Sequence, residues 1–361
     1  MSPRTVFFAG TMAVAGALAS GGQGCGRGAT ATESNPRVLV GAGASLPYPL
    51  YSRWAAEYTK VEPTVRVNYQ SVGSGAGIRQ MSDGVVDFGA TDEPLSKAER
   101  ERPGVTLVHV PTTIGAVVLA FHLPSARELS LTGELAADIF LGNVKRWSDA
   151  RIAAQNPGQA LPDEDIVVVH RADGSGTSAA LTDFLSKSSA AWRATVGSGT
   201  SPRFPVGVGA KGNEGVTALV KATPLSIGYV ELAYARQAGL PMALVRNRAG
   251  KLVAPTVEAL TKAATSADLT AIGGPEEPKA ALVDAPDEGA YPITALSYVV
   301  VARDGHDAAK AEALAKFLWW AVHDGQKLAH SLDFAPLTPA LVERSERALR
   351  ELRAEGKPIL R

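Results

Sequence analysis

Hydrophobic and polar positions change period several times along the first seventy residues after the N-terminal region. An apolar stretch at 38–40 precedes a glycine-rich turn, and Leu50, Trp54 and Tyr58 then recur at helical spacing. The following segment, 65–69, alternates apolar and polar residues, as a half-buried strand does. The pattern therefore predicts a strand, a loop, a helix and a second strand, in that order.

The same order continues further along the chain. A second glycine loop covers 73–77, a short helix is expected at 78–82, and a third apolar stretch covers 85–89. Successive strand-loop-helix units predict an α/β fold with a parallel sheet. In open sheets of this kind, ligands bind at the carboxyl ends of the strands.

A second set of elements begins near residue 111. Its predicted strands and helices are strands at 114–121, 166–169, 226–230 and 293–302, and helices at 135–141, 178–185 and 308–322. The aromatic run at 317–320 is expected to pack into the core and not to form a binding platform. A length of 361 residues predicts about two domains.

The first 36 residues have the pattern of an export signal and a flexible tether. The apolar run 6–18 has the length of a signal-peptide core and is too short to span a bilayer. Two endings compete, namely cleavage after Ala19 and lipidation of Cys25, the single cysteine. We predict a periplasmic protein that is tethered to a membrane through a lipidated Cys25.

Composition limits the possible partners. Lys and Arg number 36, Asp and Glu also number 36, and the formal net charge is zero. A nucleic-acid partner is not expected, because such binding needs a basic face. Nucleotide-binding glycine motifs and metal-binding histidine spacing are missing from the sequence, and one cysteine cannot build a thiolate zinc site. We therefore predict neither a cofactor nor a metal.

Four glycine-rich loops carry the candidate chemistry. Each combines glycine with Ser or Thr, and each is predicted to follow a strand and precede a helix: 41–45, 73–77, 89–92 and 171–177. Glycine lets a backbone approach a ligand closely, and the first turn of a helix presents unpaired N–H groups. Such junctions bind anions without any net charge on the protein.

Hydroxyl and guanidinium groups in these loops would add donors. The hydroxyls are those of Ser45, Ser74, Ser175 and Thr177. Arg171 can offer a planar fork to a tetrahedral oxyanion, and Asp173 can orient that fork. Taken singly, each loop is also typical of an ordinary N-cap or turn, and Arg171 with Asp173 is also typical of a surface ion pair.

Asp92 is unusual among these residues, because a carboxylate beside an anion is normally repulsive. It fits if the ligand carries a proton, since hydrogen phosphate can donate its P–OH to an acceptor. Sulfate, which has no proton near neutrality, would place two acceptors face to face. Asp92 therefore predicts selectivity for phosphate over sulfate. The alternative is that Asp92 caps a helix that begins near Pro94.

Several stretches of the chain resemble the PstS family, the phosphate-binding receptors of bacterial phosphate importers. They are GAGASLPYPLYSRW (41–54), NYQSVGSGAGI (68–78), VDFGATDEPL (86–95), RADGSGT (171–177), GAKGNEG (209–215) and SIGYVELAY (226–234). The resemblance implies a type II periplasmic-binding fold with two α/β lobes joined by hinge strands. It divides the chain into lobe I at 37–112 and 288–361 and lobe II at 113–287.

The resemblance also implies a site and a mode of action. Phosphate would be held by Ser45, Leu46 through its backbone N–H, Ser74, Asp92, Arg171, Ser175, Gly176 and Thr177, with Asp173 supporting Arg171. The protein would be a monomer that is not an enzyme. It would bind phosphate, close its lobes and dock on the permease subunits of an ABC transporter.

Three alternatives stay open from the sequence. The ligand could be another oxyanion or a phosphate ester. The protein could be a secreted phosphoesterase with Ser175 or Ser74 as nucleophile, although His170 is badly placed as its base because adjacent strand residues point to opposite faces. The third alternative is a phosphate sensor that serves no transporter.

Overall fold

The computed structural model describes residues 36–102, 104–270 and 282–360. The predicted signal peptide, its cleavage site and Cys25 lie outside these residues. The strands are β1 (Arg37–Gly43), β2 (Val65–Ser71), β3 (Phe88–Thr91), β4 (Glu101–Arg102), β5 (Val105–His122), β6 (Ser130–Leu131), β7 (Val167–Arg171), β8 (Val208–Ala210), β9 (Ser226–Glu231), β10 (Leu244–Arg246), β11 (Leu252–Val253), β12 (Thr294–Ala302), β13 (Asp304–Gly305), β14 (Arg353–Ala354) and β15 (Lys357–Pro358).

Helices fill most of the connections between the strands. They are α1 (Tyr48–Val61), α2 (Ser74–Ser82), α3 (Lys97–Arg100), α4 (Gly133–Leu141), α5 (Ala150–Gln155), α6 (Gly176–Ser188), α7 (Ala190–Thr195), α8 (Gly212–Ala222), α9 (Leu232–Ala238), α10 (Val257–Ser266), α11 (Ala308–Val322) and α12 (Pro339–Arg350). Two short 3-10 helices cover Asp324–Leu328 and His330–Leu332. None of the helices in the described ranges has the length and apolar character needed to cross a bilayer.

The largest sheet has nine strands in the order β2-β1-β3-β12-β5-β9-β7-β8, with β4 paired to β5. Its two ends are parallel: β1 runs parallel to β2 and β3, and β7 runs parallel to β8 and β9. We call β1, β2, β3 and β12 the first half of the sheet, and β7, β8 and β9 the second half. The predicted α/β fold is confirmed. The sheet is mixed, however, because β12 runs antiparallel to β3 and β5.

Strand β5 joins the two halves. It has 18 residues and pairs with β12 as far as Ala116 and with β9 from Val117 onward. Its residues from Leu107 to Phe121 are buried without interruption. Such a run is typical of a central strand that is covered on both faces.

Several predicted elements have nearly the bounds expected from their pattern, and three do not. The strand predicted at 114–121 is the second part of the longer β5, which begins at Val105. Helix α11 spans the predicted 308–322, and Phe317 packs edge-on against Tyr58 of α1, with ring centroids 5.1 Å apart, as a core residue. The predicted helix at 78–82 instead begins at Ser74, inside the glycine loop. The third strand begins at Phe88, because Val85 lies in an exposed turn after Gly84, whose φ is 69°.

Candidate functional site

The four glycine-rich segments lie at or directly after the carboxyl ends of β1, β2, β3 and β7, or at the helix starts that follow them. Two of them are less loop-like than predicted. Residues 41–43 belong to β1, and residues 89–91 belong to β3, so Ser45 and Asp92 follow their strands almost directly. The short, buried connections fix these side chains in place.

The site has two walls, one from each half of the sheet. We call Ser45, Leu46, Ser74 and Asp92 the first wall, and Arg171, Asp173, Ser175, Gly176 and Thr177 the second wall. Ser45 and Leu46 lie between β1 and α1, Ser74 begins α2, and Asp92 follows β3. Arg171 ends β7, and Ser175 is the N-cap of α6, which begins with Gly176 and Thr177. Each wall therefore contains the first turn of a helix, whose N–H groups favour anions.

Loops of the two walls touch each other. The backbone N–H of Gly176 donates to Ser74 Oγ over 3.1 Å, and the N–H of Gly75 donates to the carbonyl of Gly174 over 3.0 Å. A Cβ added to Gly176 would lie 2.5 Å from the Cβ of Asp92. Only glycine fits at this position while the walls are in contact.

Arg171 forms a buried ion pair with Asp173. Its Nε lies 2.8 Å from one carboxylate oxygen of Asp173, and its Nη2 lies 2.6 Å from the other. Burial acts to raise the pKa of Asp173, but the hydrogen bonds and charge of Arg171, together with the N–H of Gly212, lower it overall. Arg171 is only 4% exposed, so the alternative of a surface ion pair is wrong.

The hydroxyl oxygens of both walls already accept hydrogen bonds from the protein. Ser45 Oγ accepts from the backbone N–H and the side-chain Nδ2 of Asn213, over 3.2 and 2.9 Å. Thr177 Oγ1 accepts from Arg171 Nη1 over 3.3 Å and from Asn213 Nδ2 over 3.2 Å.

Ser74 and Ser175 have the same polarity. Ser74 Oγ accepts from the N–H of Gly176, and Ser175 Oγ accepts from the N–H of Ser178 over 3.1 Å. A hydroxyl has one proton and two lone pairs, so oxygens that accept from the protein keep their protons for another partner. The arrangement presents these hydroxyls as donors.

Asp92 supplies an acceptor among these donors. Its Oδ1 accepts from Ser297 Oγ over 2.6 Å, while its Oδ2 is buried and has no hydrogen-bond partner in the protein. Burial raises the pKa of Asp92 to about 7, against the opposing effects of Ser297 and the Arg171 charge. The helix-cap alternative is wrong, because the next helix, α3, begins at Lys97 and is capped by Ser96.

Sequence reasoning missed two buried residues that hold the site together. Asn213, in α8, contacts the hydroxyls of both walls, and Ser297, in β12, contacts Asp92. A signal existed for each of them. Asn213 lies in the GAKGNEG stretch, where it was quoted without a role, and Ser297 is a polar residue inside the buried strand β12.

His170, the conceivable base of a phosphoesterase, faces elsewhere. Its Nδ1 lies 3.0 Å from the carbonyl oxygen of Arg171, and its ring stacks on Phe204 with centroids 4.6 Å apart. Ser74 and Ser175 instead have backbone N–H groups as partners of their hydroxyl oxygens. A nucleophilic serine needs a base that accepts its proton, and His170 is committed to other contacts.

Comparison with known proteins identifies close relatives of this sequence. The PBP superfamily domain matches residues 30–324. The chain is 43% identical over 319 residues to the phosphate-binding protein PstS of Xylella fastidiosa strain Temecula1, covering 88% of this chain and 86% of that protein. It is 41% identical over 316 residues to the phosphate-binding protein PstS of Pasteurella multocida, covering 87% of this chain and 90% of that protein.

A solved structure shares the fold. The phosphate-binding protein of Stenotrophomonas maltophilia superposes with a TM-score of 0.65 at 22% identity, covering 87% of this chain and 93% of that one. At this identity the likeness supports the fold and not the ligand.

Proposed function

Because the chain belongs to the PstS family of phosphate-binding proteins, we propose that it binds inorganic phosphate, as hydrogen phosphate, between the first and second walls. It delivers this phosphate to the permease of an ABC transporter for import. The curated relatives with 41–43% identity carry the name of phosphate-binding protein, and the alignments span most of both chains. The site supplies an independent physical argument for the same ligand.

The observation that carries the proposal is an unpartnered acceptor, Asp92 Oδ2, beside the donors of the two walls. Asp92 Oδ2 is buried without a protein partner, whereas the surrounding hydroxyls and N–H groups are donors. A tetrahedral anion with one proton matches this arrangement, since it accepts from the donors and donates once to Asp92. Above pH 7, where Asp92 is ionised, sulfate lacks that proton and would leave two acceptors in contact, which is costly in a buried site.

The ligand contacts follow from the same polarity. Ser45, Ser74, Ser175 and Thr177 donate their hydroxyl protons, and Leu46 donates its backbone N–H. The N–H of Gly176 donates to the anion in exchange for its present acceptor, Ser74 Oγ. Arg171 supplies the positive charge, held in plane by Asp173 through the two hydrogen bonds between them. The first turns of α1, α2 and α6 add dipoles that cost no net charge.

Binding proceeds by closure and involves no covalent step. Lobe I comprises 37–112 and 288–361, lobe II comprises 113–287, and β5 and β12 include the segments that bend between them. Phosphate favours the closed state because contacts with the second wall form only when the two walls meet. The protein acts in the periplasm as a monomer, with Cys25 as its lipidated anchor.

The proposal is tested by calorimetric titration of protein from which carried-over ligand has been removed. Phosphate is expected to bind tightly with a stoichiometry of one, and sulfate is expected to give no signal. Incubation with a chromogenic phosphate ester is expected to give no turnover. A protein that binds sulfate as well as phosphate, or that binds neither, contradicts the proposal.

Delivery to a permease needs a separate measurement. Permease subunits are expected to co-purify with the full chain from membranes of the source cell. Deletion of the protein is expected to abolish phosphate uptake at low external phosphate. Normal uptake in the deletion strain, with phosphate binding intact, would favour the sensor alternative.

A further inference from the structure

Asn213 lies between the walls although it was not among the predicted ligand contacts. It is the second residue of α8, it is fully buried, and it bonds with Ser45 of the first wall and Thr177 of the second. We infer that Asn213 is a positioning residue for the anion, an inference that rests on the proposed binding of phosphate between the walls. It fixes the direction of the Ser45 and Thr177 protons, so that both hydroxyls can only donate to the anion.

The orientation of the Asn213 amide is set by a third partner. The backbone N–H of Glu231, at the end of β9, donates to Asn213 Oδ1 over 2.9 Å. An N–H group can only donate, so the oxygen of the amide must face Glu231 and the nitrogen must face the hydroxyls. If the amide rotated by half a turn, its Nδ2 would face the N–H of Glu231, and two donors would be opposed.

These contacts leave the Ser45 hydroxyl able to act only as a donor toward the anion. Its oxygen has two lone pairs, and Asn213 fills both of them, one from its backbone N–H and one from Nδ2. The remaining group on that oxygen is its proton. That proton therefore points away from Asn213, toward the space between the walls.

The Thr177 hydroxyl is held in the same way. Arg171 Nη1 and Asn213 Nδ2 both donate to its oxygen. One amide nitrogen, with its two protons, thus serves one hydroxyl of each wall. Because the first and second walls belong to different halves of the sheet, Asn213 also links them directly when they are in contact.

This arrangement has an energetic consequence for binding. A free hydroxyl can rotate and accept from a neighbouring donor, so its proton must be reoriented when an anion arrives. Asn213 removes that step, because the donors are aimed before the ligand binds. It also occupies the lone pairs of the Ser45 and Thr177 hydroxyls, so a competing ligand with more protons finds no acceptor there.

The test compares variants of Asn213 that differ in polarity. Asn213→Asp keeps the shape but replaces the donor Nδ2 by an acceptor, so the Ser45 and Thr177 protons would turn toward it. Asn213→Ala removes the side chain and leaves both hydroxyls free to rotate. Asn247→Asp is the matched control, since Asn247 is also buried and donates Nδ2 to two carbonyls, those of Glu288 and Ala290, which belong to neither wall.

Phosphate affinity is measured by calorimetry at pH 8, with the wild type as reference, and the folded fraction is checked by thermal unfolding. We expect Asn213→Ala to weaken binding about 10-fold and Asn213→Asp about 100-fold or more at pH 8, the range expected for one or two lost charge-assisted hydrogen bonds. Asn247→Asp is expected to lower the melting temperature and leave affinity unchanged.

A double variant separates proton direction from simple charge repulsion. With Ser45→Ala there is no Ser45 proton to turn, so the loss caused by Asn213→Asp is expected to shrink at least threefold in that background. An equal loss in both backgrounds overturns the inference. Wild-type phosphate affinity in Asn213→Ala also overturns the inference. This second measurement remains available if Asn213→Asp does not fold. Failure of the wild type itself to bind phosphate overturns the proposed function instead.

Discussion

The two walls of the site differ in what they bring to a bound anion. The second wall carries the buried guanidinium of Arg171 and the first turn of α6. Its carboxylate, Asp173, accepts hydrogen bonds from that guanidinium through both oxygens. The first wall carries no cation among its residues and contains Asp92, whose Oδ2 has no protein partner. If phosphate binds between the walls as proposed, the second wall attracts any oxyanion, and the first wall, with Asp92 ionised, repels those without a proton.

The proposed division explains how a protein of zero net charge would bind an anion selectively. Attraction comes from one buried cation and from helix dipoles, which act locally and do not need a basic surface. Discrimination would come from Asp92, an acceptor that an anion without a proton would meet unfavourably. Four substitutions or conditions test this division of roles.

The largest effect is expected on selectivity. Asp92→Asn replaces the acceptor by a group that can also donate, so the penalty against sulfate disappears. We expect the ratio of phosphate to sulfate affinity to fall on the order of 10³-fold or more, as for pockets built around a substrate hydroxyl. Calorimetric titration with both anions measures this ratio. Retention of full selectivity would place discrimination in the second wall instead of at Asp92.

The second effect concerns stability and pH. Burial raises the pKa of Asp92 to about 7 in the folded protein, against a reference value of 3.8. Between those values the folded state holds a proton that the unfolded state has lost, so stability falls as pH rises through this window.

Comparison of the wild type with Asp92→Asn isolates this contribution, because other titrating groups cancel. Without phosphate, the free energy of unfolding of the wild type is expected to fall relative to Asp92→Asn between pH 4 and pH 8, by at most about 4 kcal/mol. Chemical unfolding at a series of pH values measures it. A pH-independent difference would mean that Asp92 is not desolvated when phosphate is absent.

The third effect tests the second wall. Arg171→Ala removes the guanidinium and leaves Asp173 buried without its partner, so phosphate affinity is expected to fall by about 3 kcal/mol. Arg151→Ala is the matched control. Arg151 also pairs with an aspartate two residues away, Asp149, but its side chain is 49% exposed and lies outside the site. Calorimetry is expected to find no loss in the control, and unchanged affinity in Arg171→Ala would remove this residue from the site.

The smallest effect tests contact between the walls. Gly176→Ala places a Cβ against Asp92 only when the walls meet, so it is expected to weaken phosphate binding by about 2 kcal/mol, the typical cost of overpacking. Gly215→Ala is the control, because its added Cβ meets Ala210 at an ordinary 3.5 Å. Equal affinity in both variants would show that the two walls do not close on the ligand as the structure has them.

Sequence pattern predicted most of the scaffold because the signals are local. Helix α11 and helix α1 follow apolar repeats at helical spacing within their own residues. The Ser175 hydroxyl at the N-cap of α6 is likewise a property of a few adjacent residues. The exact start of α2 was missed because Gly73, with a φ of 91°, can end a loop or cap a helix with equal ease.

The partners that orient the site residues were not predictable in the same way. Ser297 is 205 positions from Asp92, and Asn213 is 168 positions from Ser45. The sequence marks Asn213 by its glycine-rich stretch and Ser297 by its apolar neighbours, but without the fold neither residue can be assigned a partner. The choice between a helix cap and a ligand acceptor for Asp92 rested on the same missing information.

The sequence by itself thus determined the kinds of groups that this protein offers an anion: glycine-hydroxyl junctions, one arginine with its aspartate, and a lone acceptor. Tertiary structure decided the direction in which each of those groups points. The reason is physical, since a hydroxyl can donate or accept until its lone pairs are filled. Here they are filled by Asn213, Arg171 and helix N–H groups that only folding brings within reach.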